Sequence, residues 1–207
     1  MKKSHPTFRY SFNQGVFIPT LAVTGTFASV FLLSRGFTNT QIGYVISAGS
    51  LISVLIQSSV GAYADRQKNC ILHKLIISIS LIVILFSGIL LAPGLPFFLM
   101  AALFAVICAS TQILIPLTNA LGMFFHDRGL PVNYGFARGI GSLCYAVVAV
   151  ILGRLVEWFS EDSIIVVQIV LSSCLVLSAA TFHYPGISEK NTVPDRREST
   201  GEFLKKH

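Results

Sequence analysis

Residues 36–66 read GFTNTQIGYVISAGSLISVLIQSSVGAYADR. From Gly43 to Ala64 the run holds no charged side chain, and it is closed by Asp65 and Arg66. An α-helix rises about 1.5 Å per residue, so roughly 20 apolar residues cross the hydrocarbon core of a bilayer. Only a helix or a closed barrel pairs every backbone N–H and C=O there. The segment therefore predicts a transmembrane helix, and the chain supplies five more of the same kind: Phe12 to Leu33, Ile71 to Ala92, Phe97 to Asn119, Gly135 to Val156 and Ser163 to His183.

The expected fold is an all-α membrane protein, a six-transmembrane-helix bundle over residues 12–183. It is preceded by a short N-terminal stretch, 1–11, and followed by a polar tail, 184–207, that is rich in Glu, Lys, Asp and Arg and expected to be disordered. Hydrophobic residues make up 53% of the chain, charged residues 12%, and mean hydropathy is +0.72, which excludes an ordinary soluble domain.

Orientation follows from lysine and arginine, which collect on the cytoplasmic side. Of the 15 basic residues, only Arg35 and Arg154 fall on one side of the six spans. The other side takes Lys2, Lys3, Arg9, Arg66, Lys68, Lys74, Arg128, Arg138, Lys190, Arg196, Arg197, Lys205 and Lys206. Both termini are thus expected in the cytoplasm, with the protein in the cytoplasmic (inner) membrane. The net charge of +6 reads as topology and contact with anionic headgroups of the lipid bilayer, not as nucleic-acid binding. No cleavable signal peptide is expected, because the first apolar run is too long for one.

Polar groups inside spans cost free energy unless they face protein or water, so each is informative. Asn13, Gln14, Gln57, Gln112, Asn119 and Gln168 are the amides, and Pro19 and Pro116 interrupt helical hydrogen bonding. The amides read either as interhelical hydrogen bonds or as cavity groups. Cys70, Cys108, Cys144 and Cys174 are widely spaced and read as packing residues, so no metal site and no cofactor are expected. The five histidines are scattered, and no nucleophile with a placed base or phosphate loop appears, so the chain is not read as an enzyme.

The opening stretch also resembles the major facilitator superfamily. That family carries G-x-x-x-D-R between its second and third helices, matched here by Gly61 to Arg66, and one helix earlier a G-[FL]-[ST]-x-x-Q-I-G stretch, matched by Gly36 to Gly43. The resemblance implies that Gly61, Asp65 and Arg66 form a conformational latch, in which a carboxylate meets the positive end of a facing helix. The competing reading is a turn that fixes topology only. One departure is Gln67-Lys68-Asn69-Cys70, where the family continues with glycine and basic residues.

A second segment, Tyr134 to Tyr145, resembles helix five of the lactose-permease type of oligosaccharide:proton symporters. There an arginine binds sugar hydroxyls and an aromatic two turns later stacks on the sugar; Arg138 and Tyr145 stand at those positions. The local alternatives are a cation snorkelling to the interface for Arg138 and a packing aromatic for Tyr145. The glutamate that relatives carry on helix four is absent, with Asn119 the nearest polar group, so an acidic substrate supplying its own charge to Arg138 is one option. Gly135, Gly139, Ala149 and Gly153 give small-x-x-x-small spacing, expected to let this helix pack tightly.

The resemblance implies the first six-helix half of a major facilitator fold, and hence the N-terminal half of a secondary active transporter for a sugar or small organic solute. Such a half is expected to be proton-coupled and dependent on a second six-helix half or another chain. Substrate contacts are expected at Arg138 and Tyr145, with Asn119, Gln112, Asn13 and Gln57 as further cavity candidates. The rival is a non-transporting membrane protein that acts by helix–helix association.

Overall fold

The computed structural model describes residues 6–66, 71–126 and 132–181, which are helical throughout apart from short connections. The elements are α1 (Pro6–Leu21), a π-turn (Ala22–Thr26), α2 (Ala28–Ser34), α3 (Asn39–Arg66), α4 (Ile71–Leu90), α5 (Phe97–His126), α6 (Tyr134–Trp158) and α7 (Asp162–Ala180). Helices α3 to α7 are each long and apolar enough to cross a membrane, and α1 with α2 reach that length together as a pair bent by 45°, the sixth span if the two are taken as one. The expected tail, 184–207, lies outside the described residues, and α1 already begins at Pro6 within the stretch read as preceding the bundle.

Local chemistry sets the ends. At the close of α2, Gly36 adopts φ 84°, and the N–H of Phe37 reaches back to the carbonyl of Leu32 at 3.1 Å, a Schellman stop that needs a residue tolerant of positive φ. Two residues later, Gln41 N–H donates to Thr38 Oγ1 (3.3 Å) while Thr38 N–H donates to Gln41 Oε1 (2.9 Å). This reciprocal capping box starts α3. The G-F-T-x-x-Q stretch is thus a helix stop, a buried Phe37 and a helix start in succession. Asn133 caps α6 by accepting from Phe136 N–H at 3.0 Å.

The first span breaks where sequence gave only Pro19 as a warning. Proline has no N–H to offer the carbonyl of Gly15, and downstream the ladder slips to Phe27 N–H donating to Ala22 O at 3.0 Å. Neighbours occupy the loosened turn. Thr111 Oγ1 on α5 lies 3.4 Å from Thr24 Oγ1, Cys108 Sγ faces Thr24 O at 3.8 Å, and Tyr145 of α6 bonds Thr26.

Packing arranges the spans as a row and a backing. Helix α3 packs on α5, α5 on α1, and α1 on α6; behind them α4 packs on α5 and on α7, and α7 closes on α1. Exchanging spans one to three for spans four to six maps the main pairings onto one another, although α6 meets α7 without a matching α3–α4 contact. The first-with-fifth pair becomes fourth-with-second, third-with-fourth becomes sixth-with-first, and third-with-sixth is its own image. Two three-helix repeats of this kind are the internal symmetry seen in many transporters.

Close approach depends on glycines other than those expected. A Cβ at Gly141 would meet Ile18 Cδ1 at 2.3 Å and Gln14 O at 3.0 Å, and one at Gly15 would lie 3.3 Å from Cys144 Sγ, so these two seat α6 on α1. Gly139 and Gly153 face open space and Gly135 nearly so, which corrects the expectation that their spacing marks the tight face. Small-residue spacing identifies a stripe without giving its rotational phase.

Two apolar clusters fill the interior. One gathers Val23, Phe31, Leu32, Phe104, Ile164 and Ile165; the other gathers Phe17, Ile76, Leu114, Leu121, Leu175 and Ala179. Between their contributions from α7 sits Gln168, fully buried, with neither amide atom partnered among the described residues. An unmet buried amide destabilises more than an apolar side chain of similar volume. Gln168→Leu is therefore expected to raise stability by roughly 1 kcal/mol, read as a higher unfolding midpoint in detergent; an unchanged or lower midpoint would show that the amide is satisfied in the membrane.

Candidate functional site

The six predicted binding residues all fall on the front row α3, α5, α1 and α6, and none on α4 or α7. The structure gives them three different fates.

Gln57 and Gln112 meet in the seam between α3 and α5. Gln112 accepts from Ser53 Oγ at 3.1 Å and donates to Ser50 Oγ at 3.0 Å, while Gln57 Nε2 donates to the backbone carbonyl of Gln112 at 3.1 Å. Both side chains are half-buried and hold two helices together. Asn13 turns the other way. It is fully buried and its amide donates to Ser178 Oγ on α7 at 3.2 Å, away from the row's open side. Asn13, expected among the cavity candidates, thus bonds across to α7: one residue along a helix is a rotation of about 100°, and the sequence leaves that phase open.

Arg138, Asn119 and Tyr145 remain accessible on the front. Arg138 Nη1 donates to Tyr134 Oη at 3.2 Å, and that hydroxyl donates onward to Asn119 Oδ1 on α5 at 3.0 Å. Tyr134 stacks on Tyr10 of α1, ring centroids 6.1 Å apart, and Gln14 donates to Tyr10 Oη at 2.7 Å. Tyr10 in turn is seated on Gly122 of α5, where a Cβ would fall 2.6 Å from its ring. Tyr134 reaches from α6 to α5, and Arg138, one turn along the same face of α6, bonds to its hydroxyl.

The electrostatics of this cluster are one-sided. The acids whose side chains are described, Glu157, Glu161 and Asp162, all lie at the far ends of α6 and α7. There Asp162 pairs with Arg35, itself 5.2 Å over the Phe31 ring, and Glu157 pairs with Arg154 at 3.2 Å. Arg138 has no such partner among the described residues. One of its five donors is engaged, leaving a planar fork for hydroxyls or a carboxylate.

Tyr145 lies seven residues further, about 10 Å along α6, and its hydroxyl sits 2.5 Å from Thr26 Oγ1 at the end of the π-turn. The accessible face thus runs from a cationic mouth to the break in the first span. Sequence reasoning missed Tyr134, Tyr10 and Thr26. Tyr134 could have been found as the residue four before Arg138 on the same helical face, whereas Tyr10 and Thr26 enter only through tertiary packing.

Of the expected latch, Gly61 is half-buried with open space where a Cβ would stand; Asp65 and Arg66 end α3, and their side chains lie outside the described residues. Among the described residues no group of three His, Cys, Asp or Glu side chains could hold a metal ion.

No curated protein and no solved structure matches the chain. The sequence profile of the MFS_1 like family does, over residues 16–203. Together with the broken first span, the front row of four helices and the three-helix repeat, that match makes the chain a multi-pass integral membrane protein of the MFS_1 like family, within the major facilitator superfamily, whose members are in general secondary transporters and not enzymes.

Proposed function

We propose that the chain is the N-terminal six-helix half of a secondary active transporter for a small organic solute, working by alternating access with protons as the coupling ion. Both termini are cytoplasmic and the membrane is the inner one. Arg138 is the principal substrate ligand. Tyr145 supplies an aromatic wall, Asn119 a polar contact, and Gln112 and Gln57 line the same row while bracing it. Gly61, Asp65 and Arg66 hold the cytoplasmic side shut against a facing bundle, which another six-helix unit supplies.

The observation that supports this reading is the Arg138–Tyr134–Asn119 chain across α6 and α5, with a guanidinium held in place and, among the described residues, paired with no carboxylate. A buried or membrane-level cation without a carboxylate is costly until a counter-charge arrives. That favours a substrate carrying a carboxylate over a neutral sugar. The link from Tyr145 to Thr26 adds a route from site to hinge, because a π-turn is where a helix bends at least cost.

The test is uptake. Vesicles containing this chain, alone and with a candidate second six-helix chain, are presented with a labelled small hydroxycarboxylate and a labelled neutral disaccharide under an imposed proton gradient. Gradient-dependent accumulation, greater for the carboxylate, is the expected result. Neither probe bound nor accumulated, with a constant partner protein co-purifying instead, would overturn transport in favour of helix association.

A further inference from the structure

We propose that the recess between the start of α1 and the end of α7 binds the phosphate headgroup of one anionic phospholipid from the adjoining leaflet. This surface lies on the α1–α7 seam, behind the row that carries Arg138, and the inference is independent of what the protein transports.

The recess, of about 270 Å³, is lined by Phe8, Arg9, Phe12, Ser178 and Thr181. Three properties of that lining point to a lipid. Phe8 and Phe12 are one turn apart on α1, so they form a single apolar strip, and they are 72% and 54% exposed. Arg9 lies between them in sequence, half-buried, and has no carboxylate partner among the described residues. Ser178 Oγ already accepts the amide of Asn13, so its proton is free to be donated, whereas the Thr181 hydroxyl donates to the Ser178 carbonyl at 2.8 Å and offers only lone pairs.

The lining therefore combines a cation and one hydroxyl donor with two rings. A phosphodiester with acyl chains satisfies both. Free phosphate satisfies the first alone, and the apolar strip selects the lipid. The contrast with the other end of the bundle supports the assignment: there Arg35 and Arg154 are each paired with an acid, whereas Arg9, where α1 starts and α7 finishes, has no acid partner among the described residues. Basic pockets between transmembrane helices at a membrane surface bind anionic headgroups by the same chemistry.

The experiment uses the full chain purified in detergent and offered equal amounts of phosphatidylglycerol and phosphatidylcholine, with retained lipid counted by native mass spectrometry. One phosphatidylglycerol per chain is expected to be held in preference to phosphatidylcholine. Arg9→Gln is expected to lower that retention about fivefold, the effect of one surface cation, with Arg9→Lys restoring most of it. Phe12→Ala is expected to weaken retention of both lipids, and excess inorganic phosphate to displace neither. Equal retention of the two lipids by the unaltered chain overturns the proposal, which keeps the test decisive even if Arg9→Gln does not fold. So does an Arg9→Gln protein of unchanged helicity that holds phosphatidylglycerol as before. Binding of inorganic phosphate that depends on Arg9 and expels the lipid would make the recess a free-anion site and overturn it equally.

Discussion

Arg138→Ala is expected to weaken binding of a carboxylate solute by about 10- to 100-fold, the range that follows from losing a hydrogen-bonded charge contact of roughly 1.5–3 kcal/mol. Among the described residues the side chain makes one bond, to Tyr134 Oη, so its removal costs the fold little and the loss falls on binding. Arg138→Lys separates a ligand from a snorkelling cation. A cation that only reaches for headgroups is served as well by an ammonium, whereas a planar fork that grips a carboxylate with two parallel bonds is not, and partial recovery is expected. Tyr134→Phe keeps the stacking on Tyr10 but removes the hydroxyl that receives Arg138 and reaches Asn119. It is expected to lower affinity several-fold by releasing the guanidinium from its orientation. Equilibrium binding of labelled solute to the purified chain checks all three. Arg138→Ala binding as tightly as the parent would remove Arg138 from the site.

What could be read from the sequence divides along a physical line. Spans are one-dimensional: a run such as Gly43 to Ala64 must be a helix in lipid because its backbone has nowhere else to bond. The helices did form where the apolar runs lie. Local motifs are legible for the same reason, and the Thr38–Gln41 capping box is written in four consecutive residues. The break in the first span is not. Pro19 predicts a bend near itself, but the slip to a π-turn at Ala22–Thr26 is stabilised by Thr111, Cys108 and Tyr145, which are distant in sequence.

Side-chain direction was the hardest quantity to read. Asn13, Gln57, Gln112 and Asn119 are all amides in apolar spans, and hydropathy ranks them alike. In the fold, Asn13 turns to Ser178 behind the row, Gln57 and Gln112 lock a seam, and Asn119 joins the accessible chain through Tyr134. The difference is rotational phase on each helix, which depends on which neighbour the helix packs against. Gly141 and Gly139 make the same point on one element, two residues apart, one pressed against Ile18 and the other facing open space.

Gly49→Val is expected to be the most damaging single substitution in the bundle. A Cβ at Gly49 would lie 2.8 Å from the carbonyl oxygen of Ala105 and 2.9 Å from Cys108 Cβ. Neither atom is the free end of a flexible side chain, so relief requires α3 and α5 to move apart. Overpacking of this kind costs about 1–3 kcal/mol, and more when backbone must shift. Separation also reaches the next turn, where Ser50 and Ser53 hold Gln112 at 3.0 and 3.1 Å, distances with little slack. Each interhelical bond lost there adds about 0.6 kcal/mol. The unfolding midpoint in detergent is therefore expected to fall by about 5 °C or more. The buried thiol of Cys108, whose Cβ lies at the same crossing, is expected to react faster with a maleimide. Gly139→Val supplies the comparison, since its Cβ meets nothing within this chain and stability should change little. Equal losses from the two substitutions would mean that the α3–α5 crossing is looser than 2.8 Å implies. The α3–α5 half of the front row, with Asn119 on it, would then not be held rigidly enough to present a site with Arg138.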